Sequence, residues 1–458
     1  MTEYTEQLVE YDQYRVALVL PRTRRVLAKR QGKDLLLPRV NIPKWTRPAH
    51  ELTTRIQEKW NLASVVIDCL PTLQPSLPCV VAEICEQRRT PDPHGLSAVH
   101  PDEIDESELT DGEQIVLQEM LAGSTGSRGP FSRIGWLRDA QDWIQRSVTD
   151  RAVQFDGDVR QLNADGHFAL IRFGTRQAPA YWMKATGAPN SHEYKLTVVL
   201  AEHFPRFLPR LITTRNDWNA WVTEEAGIPL CNNLSLPALE QAVFALADLQ
   251  KESIQKVNIL TAAGFRNLGI SGLQPAVNSL IDYLAEAMIQ QTSAKVPRIN
   301  WQRLREIGGI LHDSCSQMED LGIPDSLIHN DTNLGNILIN DSRCVFTDWA
   351  ECFVGNPFLT FHQMCVTVAR AGEHAATWVT HLRSRYKSEW LDYVSEARID
   401  RASILSPPLA ILSHLYSRGD WLQSPIAQSA AFQSYARSLA RHIDRETRSP
   451  QLLEALCR

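Results

Sequence analysis

The spacing of apolar and polar residues over positions 1–123 predicts a small sheet with two helices. Runs of branched apolar residues bounded by turn-forming residues predict strands over residues 14–20, 25–29, 35–38, 64–70 and 78–84. Apolar residues four positions apart predict a helix over 50–61, and a second helix is predicted over 106–121 with Asp105 or Ser107 as its N-cap. This order of elements is typical of an α+β domain.

From residue 136 onward, the pattern predicts a small sheet followed by a long helical region. The predicted strands span residues 159–163, 168–173, 181–185 and 221–225. The predicted helices span residues 136–148, 191–203, 237–260, 273–291, 301–321, 358–371 and 375–398. A small sheet lobe followed by a large helical lobe is the plan of a two-lobed, protein-kinase-like fold.

A linker is predicted between these two sections. Residues 122–130 contain three glycines, three small hydroxyl residues and a proline, a composition that disfavours helices and strands. With 458 residues, the chain is also longer than one ordinary core requires. We therefore predict a first domain at 1–123, a linker at 124–135, a sheet lobe at 136–228 and a helical lobe at 229–458.

The overall composition narrows the class of protein. Hydrophobic residues make up 43% and charged residues 22%, which is typical of globular domains, and the net charge of −6 gives no reason to expect a nucleic-acid polymer as partner. The nine cysteines form no C-x-x-C pair, which favours reduced thiols in a cytoplasmic protein. No signal peptide and no membrane span are expected, and the oligomeric state stays open.

The candidate chemistry lies in residues 326–351. An apolar run ends in a polar loop that contains His329, Asp331 and Asn336, and a predicted hairpin then leads to Asp348. Phosphoryl transfer from a nucleotide needs such a set, with one group to take or orient the acceptor hydroxyl and two oxygen ligands for Mg²⁺. Each residue alone is more often a turn former.

The motif resembles the aminoglycoside phosphotransferase and choline kinase superfamily. The loop H-N-D-T-N-L-G-N at residues 329–336 is similar to the superfamily's H-G-D-x-x-x-x-N. The string T-D-W-A-E at 347–351 is similar to its I-D-W-E-like string, and G-N-P-F at 355–358 matches its G-x-P. The resemblance extends from residue 136 to the C-terminus, with its specific motifs concentrated in 327–358.

This resemblance implies roles for the motif residues. Asp331 would be the catalytic carboxylate, Asn336 and Asp348 would hold Mg²⁺, and His329 would orient the loop by hydrogen bonds. ATP would be the phosphoryl donor, bound between the two lobes. Two positions depart from the superfamily pattern: Asn330 replaces a common Gly, and Thr360 stands where relatives often carry Asp.

Lys184 is the candidate phosphate-binding cation of the sheet lobe. The string Y-W-M-K-A at 181–185 resembles the superfamily's strand whose Lys contacts the α- and β-phosphates. A helix Glu pairs with that Lys in relatives, so Glu193 is preferred as the partner and Glu202 is the competing choice. A lone Lys at a strand end is otherwise a solvated surface residue.

Two further segments of the sheet lobe are candidate nucleotide contacts. Glu224 and Glu225 precede Ala226, where the resemblance places the hinge that meets the adenine edge. The turn at 163–167 would cover the phosphates, although it contains one glycine and no G-x-G-x-x-G pattern.

The first domain resembles a Nudix hydrolase whose chemistry is lost. Residues 54–62 align with the apolar positions of the R-E-U-x-E-E-x-G-U helix, but Glu58 is the one metal-binding acid that survives. Arg55 and Lys59 bring positive charge where a cation site needs carboxylates. We predict no hydrolase activity and a role in binding or dimerisation; an unrelated α+β domain is the alternative.

Three hypotheses for the whole chain follow. The first is an ATP- and Mg²⁺-dependent phosphotransferase whose acceptor is a hydroxyl of a polar metabolite, amino sugar or amino alcohol, with Glu351 facing a cationic acceptor or solvent. The second is a nucleotide-binding regulator that has lost turnover, a pseudokinase. A protein kinase is the third, and the absence of a D-F-G string and of an A-P-E-like segment disfavours it.

Overall fold

The computed structural model describes residues 10–71, 77–85, 95–123, 128–177, 179–340, 343–417 and 425–457. The chain divides into two compact units, the first from residues 1–194 with 210–225 and the second from 195–209 with 226–458. Residues 124–127 of the predicted linker lie outside the described residues. Within the described parts, no helix combines the length and apolar character that a membrane span needs.

The first unit opens with a mixed sheet. Its strands in the described residues are β1 (Tyr11–Leu20), β2 (Arg25–Gln31), β3 (Asp34–Leu36), β4 (Arg39–Pro43), β5 (Ser64–Cys69), β6 (Cys79–Ile84) and β7 (Leu96–Val99). The order is β3-β2-β1-β6-β5, with β4 paired to β1 and β7 paired to β2. Strands β1 and β6 are parallel, and β1 is antiparallel to both β2 and β4.

Helix α1 (Pro48–Trp60) begins with a proline at its first turn and ends at Asn61, whose left-handed backbone (φ 53°) closes the helix. Its buried face packs in a core with apolar residues of β1, β4 and β6. This helix agrees with the prediction over 50–61. The α+β character predicted for the first domain is confirmed, and its Nudix-like fold stays a prediction.

Helix α2 (Asp111–Ala122) begins later than predicted. Its N-cap is Thr110, which accepts from the backbone N–H of Glu113 while the Glu113 carboxylate accepts from the N–H of Thr110 at 2.9 Å. The buried Glu113 also pairs with Arg15 at 2.6 Å, which fixes the helix start from the sheet side. The predicted cap Asp105 instead accepts from the N–H of Ser107 at 2.9 Å in a preceding turn. The predicted start at 106 is wrong, because the hydrogen bonds between Thr110 and Glu113 cap the helix at Thr110.

A second sheet follows in the same unit. Its helix and strands are α3 (Trp136–Ser147), β8 (Phe155–Ala164), β9 (Ala169–Thr175), β10 (Tyr181–Ala185), β11 (Leu211–Arg215) and β12 (Ala220–Glu224). The strands are antiparallel in the order β11-β12-β10-β9-β8. The three predicted strands of the β8–β10 region are confirmed, and β11 adds a strand that the pattern did not predict.

Buried polar groups join the two sheets. Gln161 of β8 is 1% exposed, donates to the carbonyl of Val66 at 2.9 Å and accepts from the Val66 N–H at 2.7 Å. The pairing of β5 with β6 is irregular between Val66 and Asp68, and the Gln161 side chain supplies the hydrogen bonds that a neighbouring strand would give there. One apolar core includes residues of both sheets. The domain boundary predicted at 124–135 stays a prediction. The division into compact units places both sheets in the first unit.

The second unit is mostly helical. Helix α4 (Glu193–His203) begins in the first unit and continues into the second. The helices that follow are α5 (Leu236–Ile254), α6 (Val257–Ala262), α7 (Ile270–Leu273), α8 (Ala276–Ile289), α9 (Trp301–Asp320), α10 (Pro357–Arg370), α11 (Glu373–Trp390), α12 (Glu396–Ser417), α13 (Ala430–Glu446) and α14 (Pro450–Leu456). The predicted helix 237–260 is divided into α5 and α6, and the predicted helix 375–398 ends at Trp390.

The described part of this unit contains six short strands, and the polar motif lies among them. They are β13 (Ile228–Pro229), β14 (Arg266–Asn267), β15 (Ser326–Ile328), β16 (Ile337–Ile339), β17 (Cys344–Phe346) and β18 (Phe353–Gly355). They pair as β13-β16-β17 and as β14-β18-β15. Strands β15, β16 and β18 lie against the large helical core, since Leu327, Ile337 and Phe353 are fully buried in it.

The turn between β8 and β9 is held by the segment that precedes α3. Phe131 N–H donates to the Gly166 carbonyl at 3.1 Å, and Ser132 Oγ donates to Asp68 Oδ2 at 2.5 Å. A Cβ added at Gly166 would lie 1.8 Å from the Arg128 carbonyl oxygen, which is backbone and cannot rotate away. This close approach requires glycine.

We expect Gly166→Ala to lower the free energy of unfolding by roughly 1–3 kcal/mol, because the backbone of residues 128–132 must shift. Gly112→Ala is the matched control: a Cβ there meets nothing within 4 Å in helix α2, so its effect should be neutral or stabilising. Denaturant unfolding of both variants measures the difference. Equal stabilities would contradict the close approach.

Candidate active site

The β16–β17 hairpin brings Asn336 and Asp348 to the same end. Ile337 is opposite Phe346 in the register, and the Thr347 N–H donates to the Asn336 carbonyl at 2.9 Å. Asn336 therefore lies directly across from Thr347, and Asp348 is the next residue along the chain. The predicted clustering of an amide and a carboxylate at the hairpin end follows from this register.

Asp331 contacts Asn336 directly. The Asn336 amide donates from Nδ2 to Asp331 Oδ2 at 2.9 Å. Within the loop, Gly335 N–H donates to Asn333 Oδ1 at 3.0 Å, and Asn336 N–H donates to the Asn333 carbonyl at 2.8 Å. These side-chain turns fix the polar loop, so the Asp331 carboxylate has a defined position beside the amide.

His329 joins the loop to the hairpin. Its Nε2 lies 2.8 Å from the Thr347 carbonyl oxygen, and its ring is 4.4 Å from the Trp349 ring. Burial lowers the pKa of His329, and the nearby Asp331 and Asp348 carboxylates oppose this lowering. A neutral imidazole that donates Nε2–H to a carbonyl is an orienting group, which supports the role predicted for it. Trp349, 2% exposed, is buried beside the His329 ring.

Two residues of the motif have left-handed backbones. Asn330 has φ 64° and Asp348 has φ 67°, a region in which Asn and Asp are tolerated better than most residues. Asn330 Nδ2 donates to Glu351 Oε2 at 3.0 Å and lies 3.1 Å from His414 Nδ1. The side chain that replaces the superfamily's Gly is therefore accommodated by hydrogen bonds.

The contact to His414 could not be predicted from the sequence. His414 lies on α12, and its Nε2 is 2.9 Å from the hydroxyl of Tyr435 on α13. Both residues are far along the chain from Asn330, and no local pattern marks either of them. Glu351 thus lies beside the loop within a hydrogen-bonded group and not on an isolated solvated face.

Thr360, the second departure, lies on α10 and is 1% exposed. Its hydroxyl has no hydrogen-bond partner among the described residues. A buried hydroxyl without a partner contributes no fixed polar contact to its surroundings. Thr360 therefore makes no side-chain hydrogen bond within the described residues.

The donor set suits a magnesium ion. No group of three or more His, Cys, Asp or Glu side chains that could hold a metal occurs in the described residues. The predicted pair is of another kind, since it combines the exposed carboxylate of Asp348 with the amide of Asn336. Because Nδ2 of Asn336 is directed to Asp331, the amide oxygen is directed elsewhere and is suited to a cation. Mg²⁺ accepts one or two protein oxygens and completes its shell with phosphate and water.

In the first unit, Lys184 pairs with Glu193. Lys184 Nζ lies 2.6 Å from Glu193 Oε1, and the two side chains are 13% and 1% exposed. Lys184 also lies 5.7 Å above the ring of Trp221 on the neighbouring strand. The pairing preferred from the sequence is formed, whereas the competing Glu202 is exposed. A nearly buried ammonium on a central strand is not a solvated surface residue.

Glu224 and Glu225 are engaged within the sheet. The Glu224 N–H donates to the Arg210 carbonyl at 3.0 Å, and the Glu225 N–H donates to the Ala180 carbonyl at 2.9 Å. A hydrogen bond from Arg172 lowers the pKa of Glu225. The adenine role of this region stays a prediction. Since these two N–H groups are already bonded, an N–H donor to adenine would come from another peptide.

The turn at 163–167 is closed by Asp165, whose Oδ1 accepts from two following N–H groups at 2.7 Å.

Comparison with known proteins gives similarity in structure alone. No protein-family model and no curated protein matches the chain. A macrolide 2'-phosphotransferase from Brachybacterium faecium is similar at 14% identity, over 66% of this chain and 97% of that chain, with a TM-score of 0.42. The GDP complex of aminoglycoside 2'-phosphotransferase-IIIa is similar at 16% identity, over 68% and 99%, with a TM-score of 0.42. Choline kinase from Cryptosporidium parvum is similar at 13% identity, over 64% and 89%, with a TM-score of 0.43.

Asn330 offers a test of the left-handed backbone and its side-chain contacts. Both Asn330→Gly and Asn330→Ala lose the hydrogen bonds to Glu351 and His414, but alanine also retains the strain of φ 64°. We expect the alanine variant to be less stable than the glycine variant by roughly 0.5–1 kcal/mol. Denaturant unfolding measures this, and an alanine variant as stable as glycine would contradict the assigned backbone.

Proposed function

We propose that the chain transfers the γ-phosphoryl group of ATP to a hydroxyl of a polar small molecule. The observation that carries this proposal is the contact of Asp331 with Asn336 at the hairpin end that also bears Asp348. The direct contact between Asp331 and Asn336 and the position of Asp348 after the paired strand support the three-residue arrangement that phosphoryl transfer needs.

Asp331 is proposed as the group that receives the acceptor's proton. As the acceptor oxygen forms its bond to the γ-phosphorus, the bond from that phosphorus to the bridging oxygen breaks, and the nucleoside diphosphate leaves with the electron pair. The hydroxyl proton passes to the Asp331 carboxylate. The amide of Asn336 donates to Asp331 Oδ2, which fixes the direction in which this carboxylate faces.

Asn336 and Asp348 are proposed as the Mg²⁺ ligands. When bound, the ion neutralises charge on the β- and γ-phosphates. Asp348 has a left-handed backbone and is exposed, directly after the strand that carries Phe346. His329 fixes this segment through the Thr347 carbonyl, one residue before Asp348.

Lys184 is proposed as the cation for the nucleotide phosphates. Glu193 is 1% exposed and holds the ammonium at 2.6 Å, so the charge is placed before any ligand binds. Preorganised charge of this kind supports positioning, which is the main task in phosphoryl transfer. For the acceptor, Glu351 beside the loop favours an amino sugar or an amino alcohol over a neutral sugar.

The catalytic role of Asp331 is tested by Asp331→Ala. Turnover should fall at least about 100-fold while ATP affinity changes little, because the carboxylate acts on the acceptor. The measurement is release of the nucleoside diphosphate with ATP or GTP and a panel of aminoglycosides, choline-like alcohols and sugars. Asp320→Ala, at an exposed position, is the control. Unchanged turnover in Asp331→Ala would remove this residue from the chemistry, and nucleotide binding without turnover on any acceptor would favour a regulator.

The metal role of Asp348 is tested by Asp348→Asn, which tolerates the same backbone region. Nucleotide affinity in the presence of Mg²⁺ should fall roughly tenfold or more, and affinity in the presence of a chelator should be unchanged. Titration calorimetry under both conditions measures this. If the wild-type chain bound nucleotide equally well with and without Mg²⁺, the assignment would be wrong.

A further inference from the structure

A three-residue turn directly precedes the carboxylate to which catalysis is assigned above. The N–H of Asp331 donates to the His329 carbonyl at 2.9 Å, and Asn330 between them has φ 64°. A turn that is closed across three residues around a left-handed centre is rare and strained, and it persists where the surrounding contacts hold it. The contacts that fix Asn330 therefore also fix the direction in which the chain enters Asp331.

The Asn330 side chain is buried and contacts two residues from outside its loop. It is 4% exposed, its Nδ2 donates to Glu351 Oε2 at 3.0 Å, and the same nitrogen lies 3.1 Å from His414 Nδ1. Because an ionised carboxylate only accepts hydrogen bonds, the nitrogen of the amide and not its oxygen faces Glu351. The second hydrogen of this nitrogen is available to His414, so Nδ1 of that ring is the acceptor.

The proton of the His414 ring is placed by its two neighbours. A neutral imidazole that accepts at Nδ1 carries its proton on Nε2. The His414 Nε2 lies 2.9 Å from the hydroxyl of Tyr435, whose oxygen accepts this N–H. The amide of Asn330, the ring of His414 and the hydroxyl of Tyr435 therefore form one directed chain of hydrogen bonds.

Helix packing holds His414 in place from outside the loop. Near the end of the same helix, the Tyr416 hydroxyl donates to the Ala276 carbonyl at 2.8 Å, and the Arg266 guanidinium donates to the Tyr416 carbonyl. The side chain of His414 is 16% exposed, so little of the ring meets solvent. A group that is held by packed helices keeps its position better than one on a loop, and His414 can therefore act as a support for Asn330.

We propose that His414 is a positioning residue of the phosphotransfer site, which acts on Asp331 through Asn330. By accepting from the Asn330 amide, the ring holds the strained turn and keeps the Asp331 carboxylate directed at the acceptor hydroxyl. The effect on turnover rests on the phosphotransfer function proposed above, whereas the hydrogen-bond chain can be tested without turnover.

Nuclear magnetic resonance of the full-length chain, with histidine rings labelled with ¹⁵N, tests the hydrogen-bond chain. At about pH 8, where an ordinary histidine is neutral, the His414 ring should carry its proton on Nε2. Its signals are identified by their loss in His414→Asn. Asn330→Gly removes the donor and should shift the His414 Nδ1 signal, whereas His374→Ala, at an exposed position of α11, should leave it unchanged. A ring protonated on Nδ1, or a signal that Asn330→Gly does not move, would overturn the proposal.

Kinetics test the effect on catalysis, with ATP, Mg²⁺ and an acceptor of the above panel that is turned over. His414→Ala should lower kcat roughly tenfold and leave the KM for ATP within about twofold, because the groups assigned to nucleotide and metal keep their contacts. His414→Asn should recover part of the loss, since its Oδ1 is bonded to Cγ as Nδ1 is in histidine and can accept from Asn330. His374→Ala is the control and should keep the wild-type kcat. Denaturant unfolding confirms that each variant is folded.

A double-mutant cycle shows whether His414 acts through Asn330. In the Asn330→Gly background, His414→Ala should change kcat by no more than about twofold, because the amide that the ring holds is already absent. Equal losses of kcat in both backgrounds, or a wild-type kcat in His414→Ala, would overturn the positioning role. If the expected Nδ1 shift occurred but no acceptor were turned over, the proposed function and the positioning role would both fail, while the hydrogen-bond chain would stand.

Discussion

The hydrogen bond between the buried imidazole of His329 and the Thr347 carbonyl is the interaction on which the candidate site depends. It joins the loop that carries Asp331 to the end of the hairpin that carries Asp348. The Thr347 N–H bond to the Asn336 carbonyl already joins Asn336 to the strand end before Asp348, and the His329 bond ties the start of the loop to that same end. A neutral histidine suits this role, since burial lowers its pKa and keeps the ring from becoming a charge inside the core.

Much of this site was predictable because its parts are close in the sequence. Asp331, Asn336 and Asp348 lie within one loop and one hairpin, so the spacing determines which end of the hairpin each residue occupies. The Lys184–Glu193 pair was predictable for the same reason, since a strand leads through a short connection into a helix. His414 was not predictable, because helix packing brings it to Asn330 from far along the chain.

The distinction between contacts that are close in the sequence and contacts that come from packing also applies to the fold. Strands with continuous apolar runs, such as β1 and β6, were predicted, whereas β4 was missed because its buried residues Val40 and Ile42 alternate with polar ones in a short segment. The start of α2 was placed too early because several polar residues before Thr110 resemble caps. The buried contact of Glu113 with Arg15 of the sheet selects Thr110 among these residues. The local sequence pattern does not indicate this contact.

The arrangement of charged and amide groups at the hairpin bears on the choice between an enzyme and a regulator. At the hairpin, the Asp331 carboxylate is held at 2.9 Å from the Asn336 amide, and Asp348 follows strand β17. A protein that only bound nucleotide and metal would need Asn336 and Asp348 but would have no use for an oriented second carboxylate. The orientation of Asp331 is therefore the feature that supports the proposed enzyme over the regulator.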